Sequence, residues 1–222
     1  MHSPFRRTLL VSLLAVLPAA AQAGPPLICF PIPVGARSLA WGSGSGWNTP
    51  SPDYDRARLT EDTVALLGPQ TPVLVRMETL RRAAIYAAGE PAAAKRLFEA
   101  LRGRAANGGG AKADPLAQFD LGYAVEAYRQ TRHMPGRLNV TDPPEDGYAL
   151  VRQALAARGS DPAMEYAAAL MTCDRAGRAL SDKHLRVALA GAREGSDLAR
   201  TVDAHKAIWG ERLQTLRAAA AR

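Results

Sequence analysis

Thr71–Gly89 reads TPVLVRMETLRRAAIYAAG, and the spacing of its apolar residues decides the fold class. Val73, Met77, Leu80, Ala84 and Ala87 recur at i, i+4, i+7, i+11 and i+14, the period of a helix face and not of a strand. Pro72 suits a helix start, where its missing donor is not needed, and Gly89 suits the stop. Working outward, Glu90-Pro91 opens a second helix that turns Ala94, Leu97, Phe98 and Leu101 inward. Asn107–Gly110 then forms a flexible break, the expected site of proteolytic nicking in the helical region.

Three Asp-Pro pairs follow, at Asp114-Pro115, Asp142-Pro143 and Asp161-Pro162. In each, the Asp side chain is suited to accept from the first unpartnered amides and its charge suits the positive helix end. Gly159 leaves almost no loop between the last two, which predicts an antiparallel hairpin. Ser181 and Ser196 are candidate caps for two final helices, the last carrying Leu198, Val202, His205, Trp209 and Leu216 near one face. On the other side of the deciding stretch, Thr60 is the candidate cap of a short helix ending at Gly68. Gaps between successive starts are unequal and no 34- or 40-residue period emerges. The expected fold is therefore all-α, stacked antiparallel helical hairpins in an irregular α-solenoid or tetratricopeptide-like bundle, with an extended Pro/Gly-rich N-terminal segment.

That segment runs from Gly24 to about Arg58. Four prolines in Gly24–Gly35 argue against a regular helix or a central strand. Leu27, Ile28, Phe30, Ile32 and Val34 are nevertheless too apolar for a free tail, so the segment is expected to lie against the helices. A loop follows, Trp41-Gly-Ser-Gly-Ser-Gly-Trp47. Residues 1–23 carry Arg6 and Arg7, the apolar run Leu9–Leu17 and Ala21-Gln22-Ala23, the pattern of a cleavable signal peptide. The expected organisation is a signal peptide over 1–23, an extended segment and loop over 24–58, and one helical domain over 59–222. The expected product is exported, periplasmic or secreted in a bacterium, and has no membrane span.

Composition agrees with a helical chain. Ala supplies 44 of 222 residues and aromatics only 6%. The net charge of +7 is weak evidence for a nucleic-acid partner, because the basic residues, 24 Arg among 28, are spread along the chain with acids between them. Gly24–Cys29 (GPPLIC) and Arg76–Tyr86 (RMETLRRAAIY) resemble a group of uncharacterised exported bacterial α-helical proteins. The two stretches cover under a fifth of the chain, and the group brings no activity, cofactor or catalytic residue with it.

The chemistry-bearing residues are few. Cys29 and Cys173 are an even pair, and in an oxidising compartment they are expected to form a disulfide; no Cys-x-x-Cys is present. His133, His184 and His205 show no ligand spacing, so a zinc site would need distant groups such as Asp182, His184 and His205. His205 is expected to pack in the core and His184 to be exposed. No nucleophile elbow, dinucleotide loop or phosphate loop occurs, and no catalytic residue, metal or cofactor is expected. Trp41 and Trp47 bracket the glycine loop and are candidates to stack on a sugar or clamp a peptide, or else to anchor the loop. Arg76, Glu78, Arg81 and Arg82 read as a solvent-facing charged face, with Arg76, Arg81 and Arg82 candidates for docking an acidic partner. The expected function is non-enzymatic binding of an envelope protein or peptide, as a scaffold or adaptor. The alternative is an envelope enzyme acting on a glycan or peptide through Asp53, Asp55 or Glu61 near the tryptophan loop.

Overall fold

The computed structural model describes residues 24–44, 46–106, 114–134, 137, 141–173 and 178–220. The expected signal peptide and the expected break at Asn107–Gly110 lie outside these residues. The fold is all-α: α1 (Pro26–Cys29), α2 (Leu59–Ala65), α3 (Val73–Ala87), α4 (Pro91–Ala106), α5 (Pro115–Gln130), α6 (Gly147–Arg158), α7 (Pro162–Thr172), α8 (Arg178–Gly191), α9 (Asp197–Ala204), α10 (Lys206–Trp209) and α11 (Arg212–Ala220). Short 3₁₀ turns at Arg56–Arg58 and Thr131–His133 extend α2 and α5. Among the described residues the one β feature is an isolated antiparallel bridge between Trp41 and Pro50. No helix among them is long and apolar enough to cross a membrane.

Local chemistry sets the helix ends. Asp114 accepts from the Leu116 amide, Asp161 from Ala163 and Met164, and Ser196 from Ala199, as their positions predict. Three expected caps are corrected. Asp142 does not start α6; Asp146 does, accepting from the Ala149 amide, while Asp142 is held by Arg132 and Arg137. Ser181 lies inside α8, where its hydroxyl donates to the Ala169 carbonyl across the α7–α8 contact. Thr60 lies inside α2, and Asp55 caps the preceding turn. The expected final helix is three pieces, broken at His205 and at Gly210, whose φ of +56° suits glycine.

α5 lies on α6, α7 on α8, and α3 on α5, with α1 touching α3, α5 and α7. The helices range from 4 to 16 residues and touch beyond their chain neighbours, the packing of an irregular bundle. α5 and α6 cross at paired glycines: a Cβ on Gly122 would meet the Gly147 carbonyl at 2.5 Å, and one on Gly147 would meet the Gly122 carbonyl.

The N-terminal segment is part of the core. Leu27, Ile28, Ile32, Val34 and Leu39 are each at most 3% exposed. One turn of it, Pro26–Cys29, is helical, contrary to the expectation drawn from its prolines. Pro25 and Pro26 occupy the cap and first helical positions, where an amide donor is dispensable.

Candidate functional site

α3 carries a column of polar side chains that grips this segment. Glu78 and Arg81 are both fully buried. Glu78 Oε2 accepts from the Ile32 amide at 2.9 Å and from Arg81 Nε at 2.8 Å; Oε1 accepts from Arg81 Nη2 at 2.9 Å and Arg82 Nε at 2.7 Å. Arg81 Nη1 donates to the carbonyls of Ile28 and Trp47, at 2.9 and 3.0 Å. Arg82 donates to the Leu39 carbonyl and the Tyr86 hydroxyl to Ala40, while the Ser51 amide donates to Tyr86. An extended strap has many unpaired backbone groups, and α3 supplies partners to them one turn at a time. The expectation of a solvent-facing charged face is therefore corrected: these residues form an internal clasp.

Arg76 belongs to a second buried set. It pairs with Asp120 at 2.6 Å and also holds the Gly68 and Thr71 carbonyls of the turn before α3. Burial pushes the Asp120 carboxyl up to about 6, against the pull of Arg76 and Arg104. The candidate partner contacts Arg76 and Arg81 are thus inside the molecule, and the Arg82 side chain is 12% exposed.

The tryptophan loop is held at both ends, by ring contacts at Trp41 and through the backbone at Trp47. Trp41 stands edge-on to Tyr86 with ring centroids 5.4 Å apart, and the Arg81 and Arg82 guanidinium groups lie over its ring at 5.1 and 5.5 Å. Trp47 is half-buried and is held through its carbonyl. Of the nearby carboxylates, Asp53, Asp55 and Glu61 are exposed, and Asp62 is taken by Tyr54 and Arg58.

Two imidazoles form relays that residue spacing did not reveal. His184, expected at the surface, is 9% exposed; Nδ1 lies 2.5 Å from Glu165 Oε2 and Nε2 lies 2.7 Å from the Tyr148 hydroxyl. A carboxylate only accepts, so Nδ1 holds a proton and, in the neutral ring, Nε2 accepts from Tyr148. Carboxylate, imidazole and phenol stand in the order of a nucleophile-activating triad. Tyr148 is 8% exposed, however, and the three residues come from α6, α7 and α8, so the relay ties three successive helices together. His205 is buried, as its position on the apolar face predicts. Its Nε2 donates to the Pro31 carbonyl at 3.1 Å, which leaves Nδ1 to accept from Tyr166 at 2.8 Å and fixes the neutral tautomer. Burial holds its pKa below the ordinary imidazole range. Asp182, His184 and His205 thus have separate partners, and no cluster of three metal-ligating side chains occurs among the described residues.

Cys29 and Cys173 are not joined in a disulfide, contrary to expectation. Cys29 ends α1 with its Sγ turned back against Gly24, and burial raises its thiol pKa despite Arg81. Cys173, beyond the end of α7, lines a cavity of about 530 Å³ with Gly24, Pro26, Arg178, Trp209 and Arg212.

A second cavity, about 400 Å³, opens between α4, α5 and the segment 141–144. Phe98 and Tyr128 form an aromatic floor, edge to face at 5.2 Å, with Pro91, Pro143 and Pro144 among the walls and Lys95 at the rim. Tyr128 is fully buried, and the Arg137 guanidinium lies over its ring, 4.6 Å from the centroid. No protein-family model, curated protein or solved structure matches the chain.

Proposed function

We propose that the protein is exported and acts by binding an envelope protein or peptide, as a scaffold or adaptor. The observation that carries this reading is the cavity between α4 and α5, with its aromatic floor, proline walls and exposed lysine. Pockets of a few hundred cubic ångströms with apolar linings and a few polar groups are the usual form of a ligand site. The buried clasp and the imidazole relays, by contrast, have their functional groups engaged with the protein itself. Export is supported by the signal pattern in residues 1–23.

A photo-crosslinking residue at position 95, expressed in the native envelope, tests the reading. It should capture a reproducible protein or peptide, while the same residue at exposed position 183 should not. Equal capture at both positions, or none at 95, argues against this surface. Turnover of an envelope glycan or peptide, lost in Asp53→Asn, Asp55→Asn or Glu61→Gln with folding intact, would replace binding with catalysis.

A further inference from the structure

We infer that the outer face of α8 docks the protein on an anionic bilayer surface, with Lys183 and Arg186 against the lipid phosphates and Leu180 entering the headgroup layer. Leu180, Lys183 and Arg186 follow one another at three-residue spacing, which sets them in a row along the helix. All three are exposed, and Leu180, at 38%, is the one large apolar side chain left in water among the described residues. Ser181, His184, Leu185 and Ala188 form the buried side of α8, so the row lies on its solvent side. Arg152 of α6 joins it. Its guanidinium lies over the Tyr148 ring, 5.9 Å from the centroid, and the Tyr148 hydroxyl meets His184, one turn along from Leu180.

Charge singles this face out. Exposed cations elsewhere mostly have a carboxylate: Arg58 has Asp62, Lys95 has Glu99, Arg200 has Asp197 and Arg217 has Asp203. On α6 to α8 the described acids are already engaged. Asp161 caps α7 and holds Arg158, Glu165 meets His184, and Asp182 meets Arg212. Arg152, Lys183 and Arg186 are left with no ion-pair partner among the described residues. An acidic protein would ask more of this face, because protein interfaces centre on a packed apolar core and the row offers one leucine beside Ala179 and Ala190. A bilayer surface asks less. Basic side chains are drawn to its phosphates without a fixed geometry, and a lone apolar side chain gains by leaving water. No described helix is long and apolar enough to cross the membrane, so the attachment is peripheral.

Co-sedimentation with vesicles of the chain from Gly24 onward, which holds every described helix, tests this directly. Vesicles of phosphatidylcholine with about one-third phosphatidylglycerol should retain the protein, and phosphatidylcholine alone should not. Raising the salt about tenfold should release it, because screening shortens the reach of the charges. Lys183→Gln/Arg186→Gln should weaken binding about 25-fold, roughly fivefold for each basic residue at such a surface. Arg96→Gln/Lys206→Gln removes two exposed, unpaired cations from α4 and α10, the same change in net charge, and should alter binding less than about twofold. Leu180→Ser should weaken it several-fold. All five positions are exposed, so the thermal midpoints should not move. Equal losses in the two double variants would overturn the inference and assign the attraction to overall positive charge. Equal retention by both kinds of vesicle, or by neither, would overturn it too. So would polyglutamate binding as tightly as the anionic vesicles with no loss in Leu180→Ser, which identifies an acidic protein as the partner. The row is on α8 and Lys95 on α4, so bilayer attachment and protein capture at position 95 succeed or fail separately.

Discussion

Arg81 shows how much of this fold rests on single side chains. Its guanidinium meets Glu78, Ile28 and Trp47, and neither charge of the pair is exposed to water. Such a pair contributes little compared with an apolar pair of similar size, yet removing one member leaves the other charged and buried. Arg81→Leu should therefore cost about 3–5 kcal/mol in urea-denaturation stability. The double variant Glu78→Leu/Arg81→Leu should recover part of that loss; if it is no more stable than the single variant, Glu78 is not the group left stranded. Arg81 also marks what sequence could not show. Arg81 and Arg82 stand at i+3 and i+4 from Glu78, the spacing of an exposed charged face, and only the strap lying on top of it makes it a clasp. The apolar letters in that strap were the available signal, because a segment as apolar as Leu27–Val34 must cover something.

At the scale of elements, helix class and most starts were legible because they depend on local rules. Asp114, Asp161 and Ser196 cap as their positions predict, since a cap needs only its own next few amides. Asp142-Pro143 has the same two letters, but Arg132 and Arg137 engage the carboxylate and the start moves to Asp146. Contacts between elements were not legible. The Gly122–Gly147 crossing and the Tyr148–His184–Glu165 relay join residues separated by 19 to 36 positions, with no motif to announce them. The cavity floor was half visible: Phe98 was expected inward, whereas its pairing with Tyr128 depends on how α5 lies on α4. Two glycine substitutions separate local from tertiary effects. At Gly103 within α4 an added Cβ meets nothing within 4 Å, so Gly103→Ala should stabilise by about 0.5–1 kcal/mol through helix propensity. At Gly122 it meets the backbone of α6, so Gly122→Ala should cost about 1–3 kcal/mol or more by forcing the helices apart. Thermal melts of the two variants should move in opposite directions.

For the whole molecule, pH acts on stability through two buried groups of opposite sign, one of which holds the strap. His205 bridges Pro31 of the strap and Tyr166 of α7, and its pKa is lowered from 6.5 by burial. The unfolded chain therefore takes up a proton before the folded one does, so stability is full above the unfolded value and falls as pH drops through it. Asp120 is raised from 3.8 to about 6, so the folded state keeps its proton longer. Its contribution is present below 3.8 and is lost as pH rises through about 6. Between about pH 5 and 6 the two slopes oppose, and the wild-type profile should be shallow there. His205→Gln should leave the Asp120 slope, with stability falling as pH rises across that window. Asp120→Asn should leave the His205 slope, with stability rising. Urea midpoints measured every half unit decide it, because each variant is compared with itself across pH and its overall stability drops out. Parallel profiles in wild type and both variants would mean that neither group couples protonation to folding. If only the His205 slope appears, the Arg76–Asp120 pair stays ionised in the core and the strap alone carries the pH response.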